Sequence, residues 1–281
     1  MRQIGADQVA GTIKRLCLKA NYSLRADVLQ GLKNALSMEE SKSGQEVLGQ
    51  LVENAGIAEK EAIPICQDTG FVTVFLEIGR GVVVEGKVLS QVAEQAVREA
   101  YAEGYLRSSV VSDPCFSRVN TGDNTPPLLY TSLVEGNSLK VTVMPKGGGS
   151  ENMSQLKMLP LASGLMGIKE FVLKVVEDAG ANACPPMVVG LGIGGTFDSA
   201  GFLAKKALLR PIDQNNTDTK LAELEKELLT EINNLGIGPA GLGGRITALG
   251  VNIETFPTHM ACLPTAVNLS CHALRSAQET I

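Results

Sequence analysis

Near residue 61 the spacing of apolar residues changes period, and no other feature constrains the fold as much. Before it, apolar residues recur every three or four positions over 5–20, 25–37 and 44–57, the pattern of helices with one buried face. After it, 71–79 (FVTVFLEIG) alternates and is rich in β-branched and aromatic residues, which predicts a strand. Helical spacing returns over 88–106. Strand-like runs at 128–134 and 139–145 flank Glu135-Gly136-Asn137-Ser138 and predict a β-hairpin. A helix is expected over 168–179, ended by Gly180. An apolar strand at 187–191 then runs into a glycine-rich loop, helical segments follow at 198–209 and 218–234, and 246–271 mixes strands with loops. The expected fold is therefore helix-rich mixed α/β (α+β), one domain over 1–281 with a helical N-terminal lobe over 1–60 and a mixed-sheet body.

Composition narrows the function classes. Of 281 residues 44% are hydrophobic but only 4% aromatic, so the core must be aliphatic. The net charge of −5 comes without any basic block, which argues against a nucleic-acid partner. No apolar run reaches the roughly 18 residues of a membrane span. The opening MRQIGADQVAGTIKRLC lacks the apolar stretch of a signal peptide, so a cytoplasmic location is expected. In a reducing cytosol the six cysteines, at 17, 66, 115, 184, 262 and 271, are not expected to form a disulfide framework. None forms a CxxC pair, so zinc-ribbon and ferredoxin spacings do not fit. Buried thiols, a catalytic thiol and a cluster built from distant loops all stay open. Two histidines, His259 and His272, exclude a histidine-rich metal site, and His259 lies in a proline-punctuated loop, FPTHM. No G-x-S-x-G elbow supports serine hydrolysis.

Three short segments carry chemistry. Gly190 to Gly195 match G-x-G-x-x-G, with Asp213 about twenty residues on, as in a dinucleotide fingerprint. No run of βαβ units surrounds it, and Cys184-Pro185-Pro186 precedes it, so a tight strand-to-helix turn explains it as well. Lys146-Gly147-Gly148-Gly149-Ser150-Glu151-Asn152 is not a Walker A loop, because no GK[ST] follows. Three consecutive glycines cost backbone entropy, and they suit either main-chain N–H groups facing an anion or an ordinary turn. Cys66-Gln67-Asp68-Thr69-Gly70 puts a thiol, an amide and a carboxylate in five residues, fit for metal and polar-substrate binding or simply for a turn. Asp-Thr-Gly also occurs in aspartic proteases, but no second copy is present.

Together, CQDTG (66–70), NTGDNTP (120–126), KGGGSEN (146–152), CPPMVVGLGIGGTFDSA (184–200) and LPTAVNLSC (263–271) resemble, in the same order, the alpha subunit or N-terminal domain of iron–sulfur (class I) fumarate hydratases. L(+)-tartrate dehydratases of the same superfamily are similar. The resemblance implies a [4Fe-4S] cluster on Cys66, Cys184 and Cys271, with no ligand role for Cys17, Cys115 or Cys262. Three thiolates leave one iron open as a Lewis acid toward substrate oxygens. It also implies that Asp68 lies near that iron, that Gln67 and Arg107 bind substrate carboxylates, and that the N–H groups of Gly149 and Gly148 do the same. His259 is implied to act near the substrate hydroxyl. The loop at Gly190–Gly195 would shape the backbone near Cys184.

The expected activity is hydro-lyase interconversion of fumarate and (S)-malate, a small dicarboxylate pair, with tartrate dehydration as the alternative. The remaining catalytic groups would come from a beta subunit in a hetero-oligomer, leaving this chain inactive alone. A cluster-bearing scaffold without catalysis is the reading from another class, and the presence of Asp68, Arg107 and His259 argues against it.

Overall fold

The computed structural model describes residues 1–281 and divides them into two compact units. In chain order the elements are β1 (Arg2–Gly5), α1 (Ala6–Tyr22), α2 (Ala26–Met38), α3 (Lys42–Glu61), β2 (Phe71–Gly79), β3 (Val82–Glu85), α4 (Leu89–Glu103), β4 (Leu128–Val134), β5 (Leu139–Lys146) and α5 (Gly148–Asn152). They continue with β6 (Gln155–Met158), α6 (Gly164–Ala179), β7 (Met187–Gly194), α7 (Phe197–Ala207), α8 (Thr219–Asn233), β8 (Ala248–Phe256), β9 (Pro264–Ser270) and β10 (Ala277–Thr280). The fold is mixed α/β, as the apolar periodicities predict. No helix is long and apolar enough to cross a membrane.

The first unit comprises Met1–Arg25, Ala55–Gly148 and Arg275–Ile281. Its main sheet has the order β10-β5-β2-β4, beside a small parallel pair of β1 and β3. Helices α1 and α4 bury Val9, Ile13, Leu16 and Cys17, and Val92, Ala96, Val97 and Tyr101, in one aliphatic cluster with Val72, Val74, Val141 and Val143 of the sheet. The expected hairpin is not formed. β4 and β5 are separated by β2, which pairs with β4 in parallel and with β5 antiparallel. With Val72 to Leu76 all buried, β2 takes the central position and its ladder runs on both sides. The short connection between β4 and β5 passes over its end, where Gly79 donates to the Ser138 carbonyl and Gly81 to that of Gly136.

The second unit comprises Ala26–Asn54 and Gly149–Leu274, with strand order β6-β9-β7-β8. On one face α6 and α8 bury Val172, Val175, Leu228 and Ile232 against Met187, Val189 and Leu191 of β7. On the other face lies α7, whose Ala200 and Ala204 pack with Ala266 of β9. Helix α8 starts at Asp218, whose carboxylate accepts from the N–H groups of Lys220 and Leu221. The first sixty residues do not make a lobe of their own. The buried face of α1 joins the first unit's core, whereas α2 (Val28, Leu32, Ala35) belongs to the second unit, where it packs near β8.

The glycine-rich run after residue 187 is strand, not loop. Side chains of β7 alternate, so Val189 and Leu191 meet α6 and α8 while Gly190 and Gly192 face α7. A Cβ on Gly190 would stand 2.2 Å from the Ala204 carbonyl oxygen, and one on Gly192 2.2 Å from that of Ala200. These glycines exist for close helix-on-strand packing. That fills the space a nucleotide would need, and it also replaces the expected role of shaping the backbone beside Cys184.

Candidate active site

In the first unit, residues 66–70 lead into β2, and buried side chains hold their carbonyls one after another. Arg275 Nη2 donates to the Asp68 carbonyl at 2.8 Å. The Tyr101 hydroxyl lies 2.8 Å from the Thr69 carbonyl and 2.9 Å from that of Gly70, and Asn124 Nδ2 donates to Gly70 at 3.1 Å. The Thr69 hydroxyl in turn donates to the Arg107 carbonyl at 2.7 Å, and Asn124 Oδ1 accepts from Ser109 N–H at 2.8 Å. The loops bearing Asp68 and Arg107 are thus tied through Thr69 and Asn124. Burial pushes the Tyr101 phenol well above its usual range, so it remains a neutral donor.

The Asp68 carboxylate is held at both oxygens. Oδ1 accepts from Gly70 N–H at 3.0 Å and Oδ2 from Gly148 N–H at 2.7 Å. Gly70 has φ +84°, and a Cβ there would lie 2.6 Å from the Lys146 nitrogen, so only glycine fits. A Cβ on Gly147 would stand 2.9 Å from Asp68 Oδ2. The first two glycines of the triple run therefore serve Asp68. The Gly148 N–H expected to face a substrate carboxylate is given to Asp68, and Gly149 begins the second unit. Gln67 is exposed, and its Oε1 accepts from the Cys66 thiol at 3.4 Å. Arg107 is exposed and has no ion-pair partner.

In the second unit, Cys184 precedes β7 and Cys271 follows β9. These strands run antiparallel with Val188 opposite Ser270, so the two thiols share one end of the sheet. His272 N–H donates to the Cys184 carbonyl at 3.3 Å. Cys184 is exposed and left-handed, with φ +53°, a strained conformation for a residue with a Cβ. His259 lies beyond β8 at the opposite end, where Phe256 pairs with Gly194. At roughly 3.3 Å per residue, the length of β7 puts His259 on the order of 20 Å from the two thiols. Its Nδ1 accepts from Ala261 N–H at 3.1 Å. It borders a cavity of about 690 Å³ walled by Phe197, Phe202, Leu203 and Phe256, with Lys206 and Cys262 also on its lining.

None of the six cysteines is joined in a disulfide. Cys17 is fully buried, and burial pushes its thiol to about 12 against the opposing pull of Arg275, which makes it inert packing. No three His, Cys, Asp or Glu side chains gather as ligands of a single ion. A cluster does not require that, because each thiolate binds a different iron. The half-buried Cys66 and the paired strand-end thiols Cys184 and Cys271 have the donor chemistry such a cluster takes.

Sequence reasoning missed Tyr101 and Arg275, which lie far from Asp68 in the chain and carry no local signal. Asn124 lies within NTGDNTP, whose run of polar turn-forming residues is the signal in the sequence; in the structure it is fully buried with φ +61°.

The profile of the family described as Fumarate hydratase (Fumerase) matches residues 10–280. A protein of Methanocaldococcus jannaschii described as "Putative L(+)-tartrate dehydratase subunit alpha" is 42% identical over 98% of this chain and 98% of its own length. The "L(+)-tartrate dehydratase subunit alpha" of Escherichia coli UTI89 is 35% identical over 89% of this chain and 82% of its own, and that of strain K12 is 34% identical over the same shares. With a profile match across almost the whole length, and relatives this similar along most of it, the chain belongs to the fumarate hydratase (Fumerase) family.

Proposed function

We propose that this chain is the alpha subunit of a hydro-lyase that interconverts fumarate and (S)-malate. The observation that carries the proposal is the Asp68 carboxylate, fixed by two main-chain N–H groups on the Cys66 loop and tied through Thr69 to the loop of the unpaired Arg107. Cys66, Cys184 and Cys271 hold a [4Fe-4S] cluster in this reading. When bound, that cluster supplies an iron open to substrate oxygens as a Lewis acid. Arg107 grips one substrate carboxylate with its planar fork, and Gln67 offers its amide to the same end. Asp68, held as an acceptor, orients the hydroxyl that is added at C2 or lost from it. The group that moves the C3 proton belongs to a beta subunit, as the "subunit alpha" in the relatives' names supports.

His259 enters the reaction at a site on a second copy of the chain. Its place at the sheet end opposite Cys184 and Cys271 supports this, because no local rearrangement carries a side chain that far. Gly149 contributes an N–H to substrate, whereas Gly148 acts through Asp68. The location is cytoplasmic.

L(+)-tartrate dehydration is the second reading, favoured by the names of the relatives. Both substrates are four-carbon 2-hydroxydicarboxylates that lose water between C2 and C3. Steady-state kinetics of the anaerobically reconstituted alpha–beta complex on fumarate, malate and tartrate tests the proposal. Turnover of fumarate and malate above tartrate supports the first reading, and the reverse order supports the second. In parallel, the serine variants of Cys66, Cys184 and Cys271 are expected to lose iron and visible colour, while those of Cys115 and Cys262 keep both. A complex that takes up no iron, or that turns over none of the three acids, overturns the proposal.

A further inference from the structure

Arg275 is 2% exposed, yet its guanidinium forms no ion pair. Nη1 donates to Asn21 Oδ1 at 3.2 Å, Nη2 donates to the Asp68 carbonyl at 2.8 Å, and Nε has no partner. A guanidinium cannot shed its proton, and burying it against neutral oxygens is costly. For stability alone an apolar side chain would serve better.

The cation stands directly behind the Asp68 loop. The position a Cβ would take on Gly147 is 2.9 Å from Asp68 Oδ2 and 3.7 Å from Arg275 Nη2, so carboxylate and guanidinium flank the same glycine without forming an ion pair. The cost of the buried charge would be offset where negative charge gathers, on Asp68 and, once a cluster is bound, on a ligating Cys66 thiolate.

We infer that Arg275 is the positioning residue for Asp68, fixing its main chain through the Asp68 carbonyl and setting a permanent positive field behind residues 66–70. This role rests on the hydro-lyase reading above. Arg275 touches neither substrate nor reacting atoms, and it acts through Asp68. The Asn21 contact anchors the guanidinium to α1, and Asn21 is itself fixed by donating to the Cys17 carbonyl at 3.0 Å.

The test compares Arg275→Gln, Arg275→Lys and Arg275→Ala in the cluster-loaded alpha–beta complex. Displacing Asp68 is expected to lower kcat of Arg275→Gln about a hundredfold while KM moves less than about threefold. Iron content and the melting temperature of the chain should stay close to those of the wild type. Arg275→Lys keeps the charge and one bond, and is expected to retain about tenfold more kcat than Arg275→Gln. Adding guanidinium ion to Arg275→Ala should restore activity, whereas urea, of the same shape but neutral, should not. The cluster's midpoint potential in Arg275→Gln should move to more negative values, a readout independent of turnover.

A kcat for Arg275→Gln within about threefold of wild type, equal activity of the Lys and Gln variants, or equal rescue by urea overturns the inference. So does activity loss that merely follows iron loss. If Arg275→Ala does not fold, the Lys–Gln comparison decides. A wild-type complex inactive on every dicarboxylate sinks the functional reading instead, and the potential comparison then judges Arg275 by itself.

Discussion

Gly148 donates its main-chain N–H to Oδ2 of Asp68 at 2.7 Å, across 80 residues of sequence. The glycine run that looks built for a substrate anion is, at its first two positions, built for an anion of the protein itself. Preorganisation is the physical gain, because a carboxylate held by two N–H groups needs no rearrangement when substrate arrives.

Gly147→Ala tests that arrangement. The alanine keeps an ordinary backbone conformation, since Gly147 is not left-handed, but its Cβ would lie 2.9 Å from Asp68 Oδ2. The carboxylate must give way by a few tenths of an ångström. A kcat loss of about a hundredfold is expected in the reconstituted complex, with a melting temperature near that of the wild type. Unchanged kcat would mean that the position of Asp68 does not matter to turnover.

The glycines of β7 predict the opposite separation, a change in stability. In Gly190→Ala or Gly192→Ala the new methyl meets a helix carbonyl oxygen at 2.2 Å, so α7 must move off the sheet. The expected cost is about 1–3 kcal/mol or more in urea or thermal unfolding. Gly201→Ala is the control. It lies within α7, where the nearest atom to a new Cβ is Leu156 Cδ1 at 3.6 Å. Helix propensity then stabilises by about 0.5–1 kcal/mol. Equal effects at 190 and 201 would refute the packing account.

A pH prediction attaches to Glu39, 2% exposed at the end of α2. Burial alone would raise its carboxyl, but N–H groups of Arg245, Ser41, Ile246 and Glu40 donate to it, and the net effect holds it below the usual carboxylate value. With the folded value depressed, the unfolded chain takes up the proton first. The stabilisation is therefore complete at neutral pH and drains away as the pH falls below about 4.5, through the unfolded and then the folded value. Glu39→Gln should cost about 1–3 kcal/mol at pH 7, because an NH2 would then face donors. The difference from wild type should shrink at acid pH. A difference independent of pH, measured by urea unfolding between pH 7 and pH 3, would contradict this account.

Much of the fold is legible in the sequence because helices and strands of both units obey local apolar periodicity. The strand over 71–79 is bounded by the same residues in sequence and structure. What fails is pairing. Nothing within 128–146 reveals that β2, fifty residues earlier, inserts between β4 and β5, and the short edge strands β1, β3, β6 and β10 carry too few residues for a period. The partition into units is equally hidden, since α1 and α2 have similar amphipathic patterns and choose their sheets by tertiary packing. At the candidate site, the motif residues of loops are legible as short polar clusters. Tyr101 on a helix and Arg275 near the chain's end read as ordinary core and surface residues, and only the fold turns them toward the Asp68 loop.

The separation of His259 from Cys184 and Cys271 gives the sharpest assembly prediction. His259→Asn and Cys184→Ser chains should each be inactive in the complex. If His259 serves its own chain, then every site in a hybrid lacks one of the two residues, and mixing restores nothing. If it serves a second copy, a hybrid pair holds one site with both defects and one with neither. Random pairing makes about half the dimers hybrid with one good site of two, so co-expression should recover about a quarter of wild-type activity. Differently tagged chains, purified sequentially to isolate the hybrid, should reach about half. A purified hybrid no more active than either parent would return His259 to its own chain, and some 20 Å of sheet would then have to be reconciled with its chemistry.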